Sequence, residues 1–90
     1  MKNATVLIAC SDDRERERLS AALSAAGHAC LSCADGQGVR LQLRSVSPDL
    51  VITEVDLPGL DVYEFVQILE ENACGRSVPL VVGRVGPGTD

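Results

Sequence analysis

Two kinds of hydrophobic pattern alternate along the chain. Four short segments are rich in apolar residues, at positions 6–10, 29–34, 50–55 and 78–82. Such runs are typical of strands buried on both faces of a parallel sheet. Between the runs, apolar residues recur every three or four positions, which predicts amphipathic helices. The alternation predicts an α/β domain in which crossover helices flank a parallel sheet.

Three helices are predicted from the spaced patterns. Their apolar positions are Leu19, Ala22, Leu23 and Ala26 in the first, Val39, Leu43 and Val46 in the second, and Val62, Phe65, Val66 and Leu69 in the third. Gly27 is a typical helix end, and Pro48 stops the second helix. Polar residues that can cap the first and third helices precede them: Ser11, Asp12 or Asp13, and Asp61.

Composition indicates one small domain. The chain has 90 residues, of which 46% are apolar and 23% charged. Tyr63 and Phe65 are its two aromatic residues, so Val, Leu, Ile and Ala must build a thin core. We expect the domain to cover residues 1–83 and the Gly- and Pro-rich segment 84–90 to be a tail or a linker.

The charge balance narrows the class of partner. A formal net charge of −5 argues against nucleic acid and against an anionic membrane surface. Arg14, Arg16 and Arg18 alternate with two glutamates, which indicates a solvated helix face.

The tetrapeptide at 7–10 fits the lipobox of bacterial lipoproteins, but a buried strand explains it better. We therefore expect a cytoplasmic protein.

Four cysteines raise the question of a disulfide or a metal: Cys10, Cys30, Cys33 and Cys74. Cys30 and Cys33 have CxxC spacing but lie in a predicted strand. Three residues apart on a strand, side chains point to opposite faces. We therefore expect reduced, metal-free thiols and no cofactor.

The order of these elements resembles the receiver domain of bacterial response regulators, the phosphoacceptor module of two-component signalling. Segment 6–8 is similar to the first receiver strand, and segment 19–28 to the first helix and its exit. Segment 48–54 is similar to the strand that carries the phosphoacceptor, 57–61 to the loop after it, and 78–82 to the fourth strand. The resemblance covers nearly the whole chain and implies a receiver-like (flavodoxin-like) fold, truncated after the fourth strand.

The positions that carry receiver chemistry differ from the family pattern. Cys10 and Ser11 stand where receivers have two acids that hold Mg²⁺, a metal that requires hard oxygen ligands. Glu54 stands at the phosphoacceptor aspartate. Gly83 or Arg84 stands at the hydroxyl residue of the fourth strand. The fifth strand with its lysine is not found. The resemblance therefore implies a degenerate receiver, or pseudo-receiver, without enzymatic activity.

Several roles for these residues stay open. Glu54 could imitate a phosphorylated aspartate, paired with Arg84, or be a partly exposed carboxylate tolerated at a strand end. Asp12, Asp13 and Asp56 could form a shifted metal site, although helix capping explains the first two better. A residual phosphoacceptor at Glu54 or Asp56 and a thiol sensor at Cys10 are the alternative functions.

A truncated sheet also predicts an interface. Without a fifth strand, the fourth becomes an edge, and unpaired apolar edges attract other strands. The candidate interface residues are Tyr63, Ile68, Leu80, Val81 and Val82. We expect protein partners or an attached effector domain in bacterial signalling, together with self-association in which the fourth strands or the uncovered helix flanks meet.

Overall fold

A computed structural model describes residues 4–72 and 78–83. Its elements are β1 (Thr5–Ala9), α1 (Asp13–Ala25), β2 (Ala29–Cys33), α2 (Gly36–Leu43), β3 (Leu50–Glu54), α3 (Val62–Asn72) and β4 (Leu80–Gly83). All seven are those predicted, with strand bounds shifted by up to two residues. Among the residues in these two ranges, no helix is long and apolar enough to span a bilayer.

The four strands form one parallel sheet in the order β2-β1-β3-β4. The predicted α/β fold is therefore confirmed. β4 is the outer strand on its side in the part of the chain that the structure describes, and no fifth strand occurs there.

The two faces of the sheet carry separate hydrophobic clusters. On one face, Leu7 and Val51 pack with Val39 of α2 and with Phe65 and Leu69 of α3. On the other face, every second residue from position 6 to position 10 is buried and packs against Leu19 and Leu23 of α1. These buried residues are Val6, Ile8 and Cys10. No residue of α1 is fully buried. The second cluster is thus the smaller and the less covered.

Four predicted apolar positions lie outside the core. Ala22 and Ala26 are exposed, because only Leu19 and Leu23 of α1 reach the sheet. Val46 lies beyond α2, because the N–H groups of residues 44 and 45 bond carbonyls three positions back and tighten the last turn. Val66 is 38% exposed, because α3 turns Phe65 and Leu69 to the sheet.

Side-chain caps fix where the helices begin. Asp12 accepts the N–H groups of residues 14 and 15 at 2.9 and 3.1 Å. Asp35 accepts the Gly38 N–H at 2.9 Å. Asp61 and Glu64 exchange side-chain to backbone bonds, which is a capping box. Asp12 and Asp61 therefore have the predicted capping role.

The loop after β3 packs against the start of α2. The Gly36 N–H donates to the Pro58 carbonyl at 2.7 Å. A Cβ on Gly36 would lie 2.5 Å from the Gly59 carbonyl oxygen, and Gly59 itself has a φ of +83°. Glycine is required at both positions, by close approach at one and by left-handed backbone at the other.

Candidate functional site

Three residues at the carboxyl ends of neighbouring strands form the candidate site. Cys10 and Ser11 follow β1, and Glu54 is the last residue of β3. β1 and β3 pair directly, with Ala9 opposite Thr53, so these ends lie side by side. The sequence prediction that these three residues share one location is consistent with this arrangement.

Ser11 binds the carboxylate of Glu54. The Ser11 N–H donates to Oε1 at 2.9 Å, and the Ser11 hydroxyl lies 3.1 Å from Oε1 and 2.7 Å from Oε2. Glu54 is only 8% exposed. The expectation of a partly exposed carboxylate was therefore wrong: the longer side chain turns back toward β1, where Ser11 supplies the hydrogen bonds that a buried carboxylate needs.

These residues do not fit a magnesium ion. Mg²⁺ requires octahedral oxygen ligands, usually anchored by one or two carboxylates and completed by water. Both oxygens of the single carboxylate here already accept hydrogen bonds from Ser11. Cys10 offers a soft sulfur. Within residues 4–72 and 78–83, no three His, Cys, Asp or Glu residues are grouped as metal ligands.

Cys10 is buried beside this carboxylate. Its Sγ lies 3.5 Å from the Asp12 carbonyl oxygen. Burial raises the pKa of the Cys10 thiol, and the negative charge of Glu54 raises it further, whereas the bond to Asp12 lowers it. A raised pKa keeps the thiol protonated, which is the opposite of what a reactive cysteine needs.

Arg16 joins the site, which its sequence pattern does not predict. Its Nη1 donates to the Cys10 carbonyl oxygen at 2.8 Å, and its Nη2 bonds Asp13. The side chain is only 19% exposed. The prediction of a fully solvated arginine face was thus wrong for Arg16, because a carbonyl oxygen at the end of β1 lies within its reach.

The other acidic candidates do not converge on the site. Asp12 caps α1, Asp13 is exposed and paired with Arg16, and Asp56 is exposed in the turn after β3. Capping and ion pairing therefore account for the first two.

The CxxC pair lies on opposite faces of β2, as predicted. Cys30 packs in the α1-side cluster and Cys33 in the cluster of α2 and α3. Burial, with a contribution from the charge of Asp35, raises the pKa of Cys33 to about 11. Cys10, Cys30 and Cys33 are free thiols. Cys74 lies outside the described residues.

The fourth strand brings no hydroxyl to the site. Gly83 pairs with Glu54 in the sheet register, and a glycine has no side chain to offer. Arg84 lies outside the described residues, so its predicted pairing with Glu54 stays a prediction.

The candidate interface residues divide into two groups. Tyr63 is 85%, Val81 51% and Val82 41% exposed. Ile68 and Leu80 are instead partly buried and pack against the cluster of α2 and α3. Of the two alternatives for an uncovered flank of α3, Tyr63 or Ile68, Tyr63 is the exposed one, because Ile68 packs against the sheet-side cluster.

The geometry can be compared with known proteins. No protein-family model matches the chain. Protein PilH of Pseudomonas aeruginosa is 30% identical over 80 residues, which make up 88% of this chain and 65% of PilH. The chain thus spans slightly less than two thirds of the length of that relative.

Solved structures match over most of the chain. The chemotaxis response regulator CheY4 of Vibrio cholerae has a TM-score of 0.81 at 23% identity, over 90% of this chain and 68% of that one. A receiver domain of a Syntrophus aciditrophicus histidine kinase has a TM-score of 0.76 at 24% identity, over 88% and 60%. The N-terminal domain of a Methanoculleus marisnigri response regulator receiver protein has a TM-score of 0.78 at 18% identity, over 98% and 72%. The chain therefore has the fold of the response-regulator receiver domains, with four strands in the residues that the structure describes.

Proposed function

We propose that this domain is a pseudo-receiver that works without Mg²⁺-dependent phosphorylation and acts by binding proteins in bacterial signalling. One observation carries the proposal: the buried carboxylate of Glu54 is bound on both oxygens by Ser11. Ser11, which stands at an acid-pair position, thereby engages both carboxylate oxygens of Glu54, which stands at the phosphoacceptor position.

Phosphoryl transfer requires an accessible acceptor oxygen, a metal and a neutralising cation together. Here Ser11 already binds both oxygens of the Glu54 carboxylate. The positions that hold the metal in receiver domains carry a thiol and a hydroxyl instead of two carboxylates. The extra methylene of Glu54 also moves its carboxylate by about 1.5 Å of bond length, whereas displacements near 1 Å can cost about a hundredfold in such reactions. Each of these differences disfavours the reaction independently.

An interaction role is supported by the exposed apolar residues. Tyr63, Val81 and Val82 project from a chain whose net charge of −5 disfavours nucleic acid and anionic membrane surfaces. We propose a cytoplasmic location, protein partners or an attached effector domain, and self-association, which the next subsection makes specific.

The experiment is a pair of measurements on the 90-residue chain. Mass spectrometry after acetyl phosphate and Mg²⁺ should show no added phosphoryl group. NMR titration with Mg²⁺ and beryllofluoride should show no saturable shifts at residues 10, 11 and 54. The receiver domain of CheY4, treated in parallel, is a fold-matched comparison.

The outcomes separate the alternatives. A phosphoryl group mapped to Glu54 or Asp56 would replace the proposal with a residual phosphoacceptor switch. Oxidation of Cys10 at low peroxide, with the other cysteines unchanged, would replace it with a thiol sensor. The raised pKa of the Cys10 thiol opposes that second result.

A further inference from the structure

The last described strand, β4, is apolar and is an outer strand of the described sheet. Natural edge strands are shielded by charged side chains, prolines or bulges. β4 consists of Leu80, Val81, Val82 and Gly83, none of them charged, and Pro79 precedes the strand. In the part of the chain that the structure describes, β3 is its one strand neighbour.

The backbone of β4 presents hydrogen-bonding groups at that edge. The Val51 N–H donates to the Pro79 carbonyl and the Val55 N–H to the Gly83 carbonyl, each at 3.0 Å. Alternate residues of a parallel strand face the same neighbour, so 79, 81 and 83 bond toward β3. Leu80 and Val82 therefore direct their N–H and C=O groups outward.

The side chains of β4 divide between the two faces of the sheet. Val81 pairs with Ile52, which packs in the α1-side cluster. Leu80 pairs with Val51, which packs in the cluster of α2 and α3. Val82 shares the face of Leu80, because side chains alternate along a strand. Apolar surface is therefore exposed on both sides of the edge.

We propose that this edge binds a second copy of the chain, with β4 antiparallel to the partner's β4 and Val81 on the two-fold axis. This rests on the proposed interaction role. In this register Leu80 lies opposite Val82 of the partner subunit, and each such pair exchanges two backbone hydrogen bonds. All four outward groups of each strand then find partners.

The register follows from the strand itself. If the two-fold axis passed through Leu80 instead, only the outward N–H and C=O of Leu80 would find partners in β4, and those of Val82 would stay unpaired. An axis through Val82 would leave the groups of Leu80 unpaired in the same way. With Val81 on the axis, every side-chain pair is apolar on both faces. Val81 meets its symmetry mate at a non-hydrogen-bonded position, where side chains approach most closely. The contact also lacks charge, so the net charge of −5 on each copy is kept away from it.

Sedimentation of the 90-residue chain tests the contact. The wild-type chain should form a dimer at tens of micromolar. Val81→Lys should raise the dissociation constant by at least about tenfold, because two ammonium groups would meet at the axis. Leu41→Lys is the matched control: Leu41 is 53% exposed on α2, against 51% for Val81, and its substitution should leave the dimer intact.

Disulfide trapping tests the register and does not depend on the lysine variant folding. Val81→Cys should cross-link to its own copy under mild oxidation, since opposite Cβ atoms lie about 5 Å apart at such positions. Leu80→Cys should cross-link at least several times more slowly, and the wild-type chain measures the background of its own cysteines.

Each result bears on the contact alone. A monomer at all concentrations, a dimer unaffected by Val81→Lys, or equal cross-linking at positions 80 and 81 would overturn the inference. None of these measurements reports on phosphorylation of Glu54. The proposed function is therefore tested separately, by mass spectrometry.

Discussion

The hydroxyl of Ser11 lies 2.7 Å from one carboxylate oxygen of Glu54 and 3.1 Å from the other, although the two residues are 43 positions apart in the sequence. The contact joins the carboxyl ends of β1 and β3 directly. A direct hydrogen bond between side chains therefore holds these two strand ends together.

Removing the Ser11 hydroxyl should destabilise the fold. Ser11→Ala leaves a buried carboxylate with one backbone donor, which should lower the free energy of unfolding by about 1–3 kcal/mol. Ser24→Ala on exposed α1 is the control and should change stability by no more than about 0.5 kcal/mol. Urea denaturation followed by circular dichroism measures both. Equal effects of the two substitutions would show that the Ser11 contact contributes nothing.

Restoring three carboxylates should create a metal site. The variant Cys10→Asp, Ser11→Asp, Glu54→Asp supplies the hard oxygen ligands that Mg²⁺ prefers. It should show saturable NMR shifts at millimolar Mg²⁺, whereas the wild-type chain and Glu54→Asp alone should show none. Saturable binding by the wild-type chain would contradict both this prediction and the proposed function.

Gly36 should not tolerate a side chain. In Gly36→Ala the new methyl group would meet the Gly59 backbone at 2.5 and 2.6 Å and the Leu60 Cβ at 2.6 Å, so the loop after β3 must move. We expect a loss of about 1–3 kcal/mol in thermal or urea unfolding. Gly83→Ala is the matched control, because nothing lies within 4 Å of its Cβ position. A smaller effect at Gly36 than at Gly83 would refute the predicted clash.

Stability should fall at high pH through Cys33. Its pKa is raised from 9.0 to about 11 in the folded chain. The thiol therefore ionises first in the unfolded chain. The contribution of Cys33 to the free energy of unfolding is fully present below pH 9 and is lost as the pH rises to about 11. The slope is at most about 1.4 kcal/mol per pH unit for one proton. Urea unfolding at several pH values should show a steeper decline for the wild-type chain than for Cys33→Ala, and parallel declines would contradict the assignment.

The order of the elements could be predicted because strands and helices have different hydrophobic periods. The side of a helix that faces the sheet was harder to predict. In α3, apolar residues at 62, 65, 66, 68 and 69 form a stripe of about 160°, and Val66 and Ile68 lie at its two margins, so periodicity alone could not decide between them. Packing of the helix on the sheet determines that Ile68 is the one turned inward.

The members of the site could be predicted, but their contacts could not. The resemblance to receiver domains pointed to Cys10 and Ser11 at the end of the first strand, and to Glu54 four residues before the loop proline. The direction of the Glu54 side chain depends on which donors surround it, and Ser11 is brought there by strand pairing rather than by local sequence. Arg16 gave no signal, since its neighbours in the sequence are charges typical of a solvated helix.

The unequal clusters on the two faces of the sheet bear on local unfolding. β1 is buried on both faces, whereas α1 has no fully buried residue and rests on the sheet through Leu19 and Leu23. Opening α1 alone therefore costs less free energy than unfolding the sheet, and its amide hydrogens should exchange with solvent first. Any protein that covers Leu19 and Leu23 would suppress that opening, so binding there would be coupled to the order of the helix itself.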